Sequence, residues 1–233
     1  MAHEYRSYVI CDIETASDID ALALLKEAKP RKGTKDEEKL AAQVAEKQAA
    51  ILESMSLDPF AGRIVCIGWQ TEDDTRPVTF PCATREQEGT ALDELAAVIR
   101  GTGYRHVIGY RVLAFDLPWL MTRSRLLGVN FPALDTRKYG NRDITDVHAY
   151  LTNDGNCPPP VIVRSLHNMA RRFGIPVHDE LTGADVAALV KEGRLEDVRA
   201  HCASDVALTR GLAQRLGLVP AVAVGARLEA CGS

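Results

Sequence analysis

The sequence lacks any apolar run long enough to span a membrane. No basic-then-apolar leader opens it. A cytoplasmic protein with no membrane partner is therefore expected. An excess of positive charge is also missing: 28 Lys and Arg stand against 32 Asp and Glu, for a formal net charge of -4. This weighs against a structural DNA-binding protein, which carries a basic field, but little against an enzyme whose site is itself acidic. No two cysteines form a C-x-x-C pair; Cys11, Cys66, Cys82, Cys157, Cys202 and Cys231 are scattered. That excludes a disulfide framework and a zinc site. Cys11 and Cys66 fall in apolar, strand-like runs, where a reduced thiol is a small core residue.

What is present is a chain of 233 residues, 46% hydrophobic and 26% charged, long enough to bury a sizeable core. The run Tyr8, Val9, Ile10, Cys11 marks a buried first strand over residues 5–13. Residues 18–60 differ in texture, being rich in Ala, Lys, Glu, Leu and Gln, with no aromatic residue from 18 to 57. Residues 36–55 have helix-forming composition and a weak apolar stripe through Ala41, Val44, Ala45, Ile51, Leu52 and Met55. A basic cluster (Lys29, Arg31, Lys32, Lys35) with Pro30 and Gly33 marks a loop before it. The stretch reads as a helical arm inserted after the first strand. Further strands are expected at 63–69, at 76–81 (edge-like, because of Pro77 and Pro81), at 106–109 and at 131–136. Helices are expected at 85–99, 115–127, 144–151, 165–173, 184–191 and 194–216. Strands come early and helices late, which points to a mixed α/β sheet flanked by helices. Residues 1–217 read as one domain that includes the arm, and 218–233 as a tail with no clear element.

The chemistry-bearing residues are acids at element ends. Asp12 and Glu14 close the first strand, where positions i and i+2 share a face, so their carboxylates project together. Like charges that close raise one pKa or share a cation. Oxygen ligands of this kind suit Mg²⁺ or Mn²⁺ rather than zinc. Taken alone, Asp-x-Glu is also what an ordinary exposed strand end looks like. Asp116 stands where a strand passes through a loop into a helix, with Pro118 in the first turn; alone, it reads as a helix cap. His201 and Asp205 lie at i and i+4 on one face of the last helix, where a simple His–Asp pair is the ordinary alternative. Asp143 to His148 reads as helix-start chemistry, with Asp143 or Thr145 capping and Asp146 near the positive end or at the edge of an acidic site.

Together, Asp12-x-Glu14, Phe115-Asp116-x-Pro118 and His201-x-x-x-Asp205-Val206 resemble, in order and spacing, the DEDD superfamily of 3′–5′ exonucleases. The likeness is to stand-alone exonucleases related to the proofreading domain of family B DNA polymerases. The run from Ser165 to Pro176, then Gly183-Ala-Asp185-Val186 and Glu192-Gly193, shares it. It covers residues 7–15 and 63–216 and leaves the arm outside. The resemblance implies a ribonuclease H-like fold. It also implies that Asp12, Glu14, Asp116 and Asp205 bind two divalent metals, Mg²⁺ or Mn²⁺, at a centre that hydrolyses phosphodiesters. Two departures stand out. A Tyr in one subclass sits four residues before the last Asp, where this chain has His201; a His in the other sits five before, where it has Ala200. With an unperturbed pKa of about 6.5, His201 is a candidate to accept a proton from water, or to orient that water. Tyr110 stands where relatives often have Asn after the Gly.

Ile13 and Thr15 flank the first acids and are candidates to touch the terminal nucleotide through their backbone. Phe115 and Trp119 offer stacking or wedge surfaces, or ordinary core packing. The basic cluster is a phosphate contact or a solvated loop. The expected function is a two-metal 3′–5′ exonuclease releasing nucleoside 5′-monophosphates from single-stranded or frayed DNA, in replication, repair or proofreading, with a DNA polymerase or replication protein as candidate partner. One alternative is an exoribonuclease, since nothing here reads the sugar 2′ position. Another is a non-catalytic nucleic-acid or polymerase-binding module, which has no need of four acids. Self-association through the arm is a third role open to the chain.

Overall fold

A computed structural model describes residues 6–27, 29, 36–101, 105–137 and 142–221. Its centre is a five-stranded sheet: β1 (Tyr8–Ser17), β2 (Gly62–Thr71), β3 (Val78–Pro81), β4 (His106–Gly109) and β5 (Ile144–Asp146). Their order is β3-β2-β1-β4-β5. β1, β2 and β3 pair antiparallel, and β4 and β5 join on the other side of β1 as parallel strands. The helices are α1 (Glu37–Ser54), α2 (Arg85–Arg100), α3 (Asp116–Leu127), α4 (Val147–Leu151), α5 (Leu166–Arg172), α6 (Gly183–Lys191) and α7 (Leu195–Arg215). This is the mixed sheet flanked by helices expected for a ribonuclease H-like chain. No described helix is long and apolar enough to cross a membrane.

The period of two along β1 sorts its side chains between the sheet's faces. Val9, Cys11 and Ile13 pack with Leu92, Leu95 and Ile99 of α2 and with Leu117 and Leu120 of α3. Tyr8 and Ile10 pack toward Leu166 of α5 and Val206, Leu208 and Leu212 of α7. Asp12 and Glu14 continue that second set, so they face α7. The sheet lets this helix come close: a Cβ at Gly68, which lies opposite Asp12 in register, would stand 2.7 Å from Cys202 Sγ. β4 pairs with β1 only over Tyr8 to Ile10. Past that point β1 has a free edge, and this is where the acids lie.

The described residues of 18–60 form the arm and hold no strand: a 3₁₀ helix at Ile19–Leu24, then α1, then a 3₁₀ turn at Met55–Leu57. α1 starts at Asp36, whose side chain accepts from Glu38 N and Lys39 N. Its apolar stripe buries no residue; Met55, just beyond, is the buried anchor. In the basic cluster only Lys29 lies among the described residues; Arg31, Lys32 and Lys35 lie outside them, as does the tail beyond 221. Beneath the arm, Arg123 of α3 donates to both carboxylate oxygens of Glu88 on α2, at 2.7 and 2.9 Å. Glu88 also accepts from Ile64 N, and Arg123 lies 3.8 Å from Asp18. This buried network staples α2, α3, β2 and the start of the arm.

Two expected elements differ. Residues 131–136 form no strand. Pro132 has no N–H to give, and the backbone bonds close locally, Phe131 N to Val129 O and Leu134 N to Pro132 O. Residues 144–151 are not one helix. Ile144, Thr145 and Asp146 pair with β4, and only Val147–Leu151 is helical. Ile144 and Thr145 are β-branched and favour an extended backbone, and the open parallel edge beside β4 takes them up.

Candidate active site

Asp12, Ile13, Glu14 and Thr15 of β1, Phe115 and Asp116 at the start of α3, and His201 and Asp205 of α7 line one cavity of about 310 Å³. Tyr110, Arg111, Ser56, Leu57 and Gly183 complete it. Asp116 is the first residue of α3 but not its cap. Its Oδ1 accepts from Ile13 N at 3.1 Å, on the free edge of β1. That bond pins the third carboxylate beside the first two. The arm contributes directly, since Thr15 Oγ1 donates to Ser56 O at 2.7 Å and so brings Ser56 and Leu57 over the cavity.

Four carboxylates here lack a conventional counter-charge. Among the described residues none is ion-paired to a lysine or arginine; their basic neighbours are imidazoles. Burial first, then the neighbouring acids, pushes Asp12 and Glu14 well above the usual carboxylate range. Burial likewise raises Asp116 to about 7, against hydrogen bonds that pull it down. Asp205 is raised by burial and pulled back by His201 and His167. Such a cluster is starved of positive charge, and a cation among its oxygens relieves it.

His201 is buried, with Nδ1 2.5 Å from Asp179 Oδ2 and Nε2 3.6 Å from Glu14 Oε1. It does not pair with Asp205, four residues on. Asp205 instead meets His167 Nε2 of α5 at 3.1 Å. Asp179 and His167 were missed in the sequence because each is far from α7 along the chain. The run around His167 shares the resemblance, but nothing in the run assigns that side chain a role.

Asp146 is a positioning residue. Its Oδ1 accepts from Arg111 N at 3.1 Å and Ala149 N at 3.0 Å, and its Oδ2 from Leu113 N at 3.2 Å. It thus caps α4, in place of the expected Asp143 or Thr145, and holds the loop that delivers Phe115 and Asp116. Arg111 in that loop has φ +61, the left-handed region that non-glycine residues rarely adopt. Trp119 is corrected from the sequence expectation. It is 1% exposed, belongs to the core and does not line the cavity, which leaves it no free face for a base. Phe115 rests on it, with ring centroids 5.9 Å apart, and does line the cavity.

Residues 63–218 match a family described as a predicted 3′–5′ exonuclease related to the exonuclease domain of PolB. The match includes Asp116, His201 and Asp205 but begins after β1, so the fold rather than the match brings Asp12 and Glu14 to them. The family B DNA polymerase from the hyperthermophilic archaeon Pyrobaculum calidifontis shares the fold, with a TM-score of 0.61 and 18% identity over 91% of this chain and 24% of that one. The chain therefore spans about a quarter of the polymerase's length. No curated protein matches.

Proposed function

Because the chain belongs to the family of predicted 3′–5′ exonucleases related to the exonuclease domain of PolB, we propose that it removes nucleoside 5′-monophosphates from the 3′ end of single-stranded DNA at a two-metal centre. The observation that carries this is the convergence of Asp12, Glu14, Asp116 and Asp205 on one cavity with no lysine or arginine paired to them among the described residues. An all-carboxylate donor set fits hard divalent cations such as Mg²⁺ or Mn²⁺. Two such ions would supply Lewis-acid stabilisation of the charge that develops on the phosphate and on the entering and leaving oxygens. DNA is favoured as substrate because the polymerase of the same fold acts in DNA synthesis.

The chain's own groups do the rest. Asp116, fixed by Ile13 N, and Glu14 and Asp12 on one strand face form a rigid carboxylate wall. His201 has Asp179 on Nδ1, which holds the proton there and leaves Nε2 at the cavity to take a proton from the attacking water. Asp205 is oriented by His167 in the same manner, from behind. Thr15 is tied to the arm, and Phe115 offers a partly exposed ring beside the acids for the terminal base.

The test uses 5′-labelled single-stranded DNA and the matching RNA with Mg²⁺ or Mn²⁺. A ladder shortening from the 3′ end, lost in Asp116→Ala and on chelation, supports the proposal. Absence of metal-dependent cleavage of either strand overturns it; preference for RNA overturns the choice of DNA.

A further inference from the structure

Two more cavities lie against the proposed active site, and neither holds an acid. One, of about 450 Å³, shares Tyr110 with the catalytic cavity; the other, of about 480 Å³, shares Arg111. The two adjoin across a single wall, where Pro160, Val161, Ile162 and Arg164 line both. Each is of a size that takes a ligand. Among the described residues, their only charged side chains other than histidine are Arg111, Arg164 and Arg172, and none of these is in an ion pair. A protein of net charge -4 thus sets an acid-free, arginine-lined groove next to a cavity that holds four carboxylates.

Resting on the exonuclease proposal, we infer that this groove holds the single strand on the 5′ side of the bond being cut. The arginines take its phosphates and the apolar wall takes its bases. Val161 is 99% exposed and Val163 73%, and they follow Pro158, Pro159 and Pro160. Three successive prolines fix φ, so this apolar surface is presented with little entropy left to lose on binding. The wall is also tied to the site. Tyr110 donates its hydroxyl to Arg164 O at 2.7 Å, and Arg164 Nη2 donates to Pro158 O at 2.9 Å. At the floor, Tyr110 and His148 meet edge to face, with ring centroids 5.4 Å apart. Arg111 stands at the junction, in a left-handed backbone conformation that its own side chain does not favour and that Asp146 holds in place. Strain kept at such a point is a mark of use.

The experiment compares substrates of different length. The p-nitrophenyl ester of thymidine 5′-monophosphate has no nucleotide on the 5′ side of the scissile bond, whereas thymidine oligonucleotides of two to six residues have increasing numbers. With Mn²⁺, the full-length protein is expected to hydrolyse the ester and to show KM falling as the oligonucleotide lengthens. Arg172→Ala and Arg164→Ala are each expected to raise KM for the hexamer about fivefold or more. Each is also expected to lower the slope of log affinity against log salt by about 0.7. Arg172→Lys is expected to keep most of the length dependence, since a point charge still meets a phosphate. Arg164 also ties its own loop, so Arg172→Ala, at the exposed end of α5, is the decisive variant. An unchanged length dependence in Arg172→Ala, or a wild type that cleaves the ester but shows no length dependence, overturns the groove. A wild type that hydrolyses neither substrate overturns the exonuclease proposal, and the groove with it.

Discussion

The carboxylate cluster sets up a measurable conflict between stability and pH. Asp116 has an ordinary carboxyl pKa of 3.8 when unfolded and one raised to about 7 by burial in the fold. A raised folded pKa means that the folded state binds the extra proton between these two values. Stability is therefore full below about pH 4 and is lost as pH rises through about 7. The gap is worth ~4 kcal/mol at most. Asp12, Glu14 and Asp205 are raised in the same direction and add to the fall. In chelator, the melting temperature of the wild type should drop between pH 5 and pH 8, by roughly 2–4 °C for each kcal/mol lost. Asp116→Asn keeps the acceptor for Ile13 N and cannot ionise. It should fall less steeply and be the more stable protein at pH 8. Mn²⁺ at a hundred times its dissociation constant should return ~2.7 kcal/mol to the wild type at pH 8 and markedly less to the variant. Scanning calorimetry or thermal fluorescence at pH 5, 6, 7 and 8, with and without metal, reads all of this. A flat wild-type profile, or an Asp116→Asn profile parallel to it, refutes the reasoning.

Arg123→Met leaves Glu88 buried without its partner and should cost about 3–5 kcal/mol by denaturant unfolding, much of it regained in the double variant Arg123→Met/Glu88→Leu. Arg111→Asn places a residue that tolerates positive φ where arginine is strained, so stability should rise by ~0.5–1 kcal/mol while KM for oligonucleotides worsens. Asp179→Ala removes the acceptor that holds the Nδ1 proton of His201; kcat should fall roughly 10–100-fold with KM little changed in steady-state assays on oligonucleotides. Gly68→Ala drives a Cβ to within 2.7 Å of Cys202 Sγ, and should cost about 1–3 kcal/mol in unfolding experiments while weakening Mn²⁺ binding as α7 is pushed from the sheet.

The sheet core and the late helices could be read from the chain because apolar periodicity and end signals agreed there. Cys11 and Ile64 to Trp69 sit in strands as their runs imply, and Ser165 caps α5 as its position implies. The site was legible at the residues carried by motifs, and Asp12, Glu14, Asp116 and Asp205 do meet in one cavity. What escaped was set by tertiary contact. β5 exists because β4 offers an edge, and no periodicity in Ile-Thr-Asp announces it. Glu88 shows as an acid in the first turn of a helix, yet it is fully buried because Arg123, 35 residues on, comes to meet it. Trp119 has the composition of a stacking platform, and only its depth beneath Gly62 shows that it is core.

The helical spacing of His201 and Asp205 carries a subtler lesson. Residues at i and i+4 are neighbours, and a His–Asp pair at that spacing invites the inference that they bond each other. In this fold both point at the sheet, where Glu14 and Asp12 already crowd two acids together. A bond between them would turn each away from the cavity. Instead each is held by a group from outside the helix: Asp179 takes the far nitrogen of His201, and His167 takes one oxygen of Asp205. The remaining Nε2 and the remaining oxygen are thereby left to the cavity. The choice of histidine at position 201 is thus tied to Asp179, because a tyrosine there has no second nitrogen for Asp179 to hold. His201→Tyr alone should then behave worse than His201→Tyr combined with Asp179→Asn, in which the carboxylate no longer faces a phenol. Equal activities in the two variants would show that position 201 works independently of Asp179.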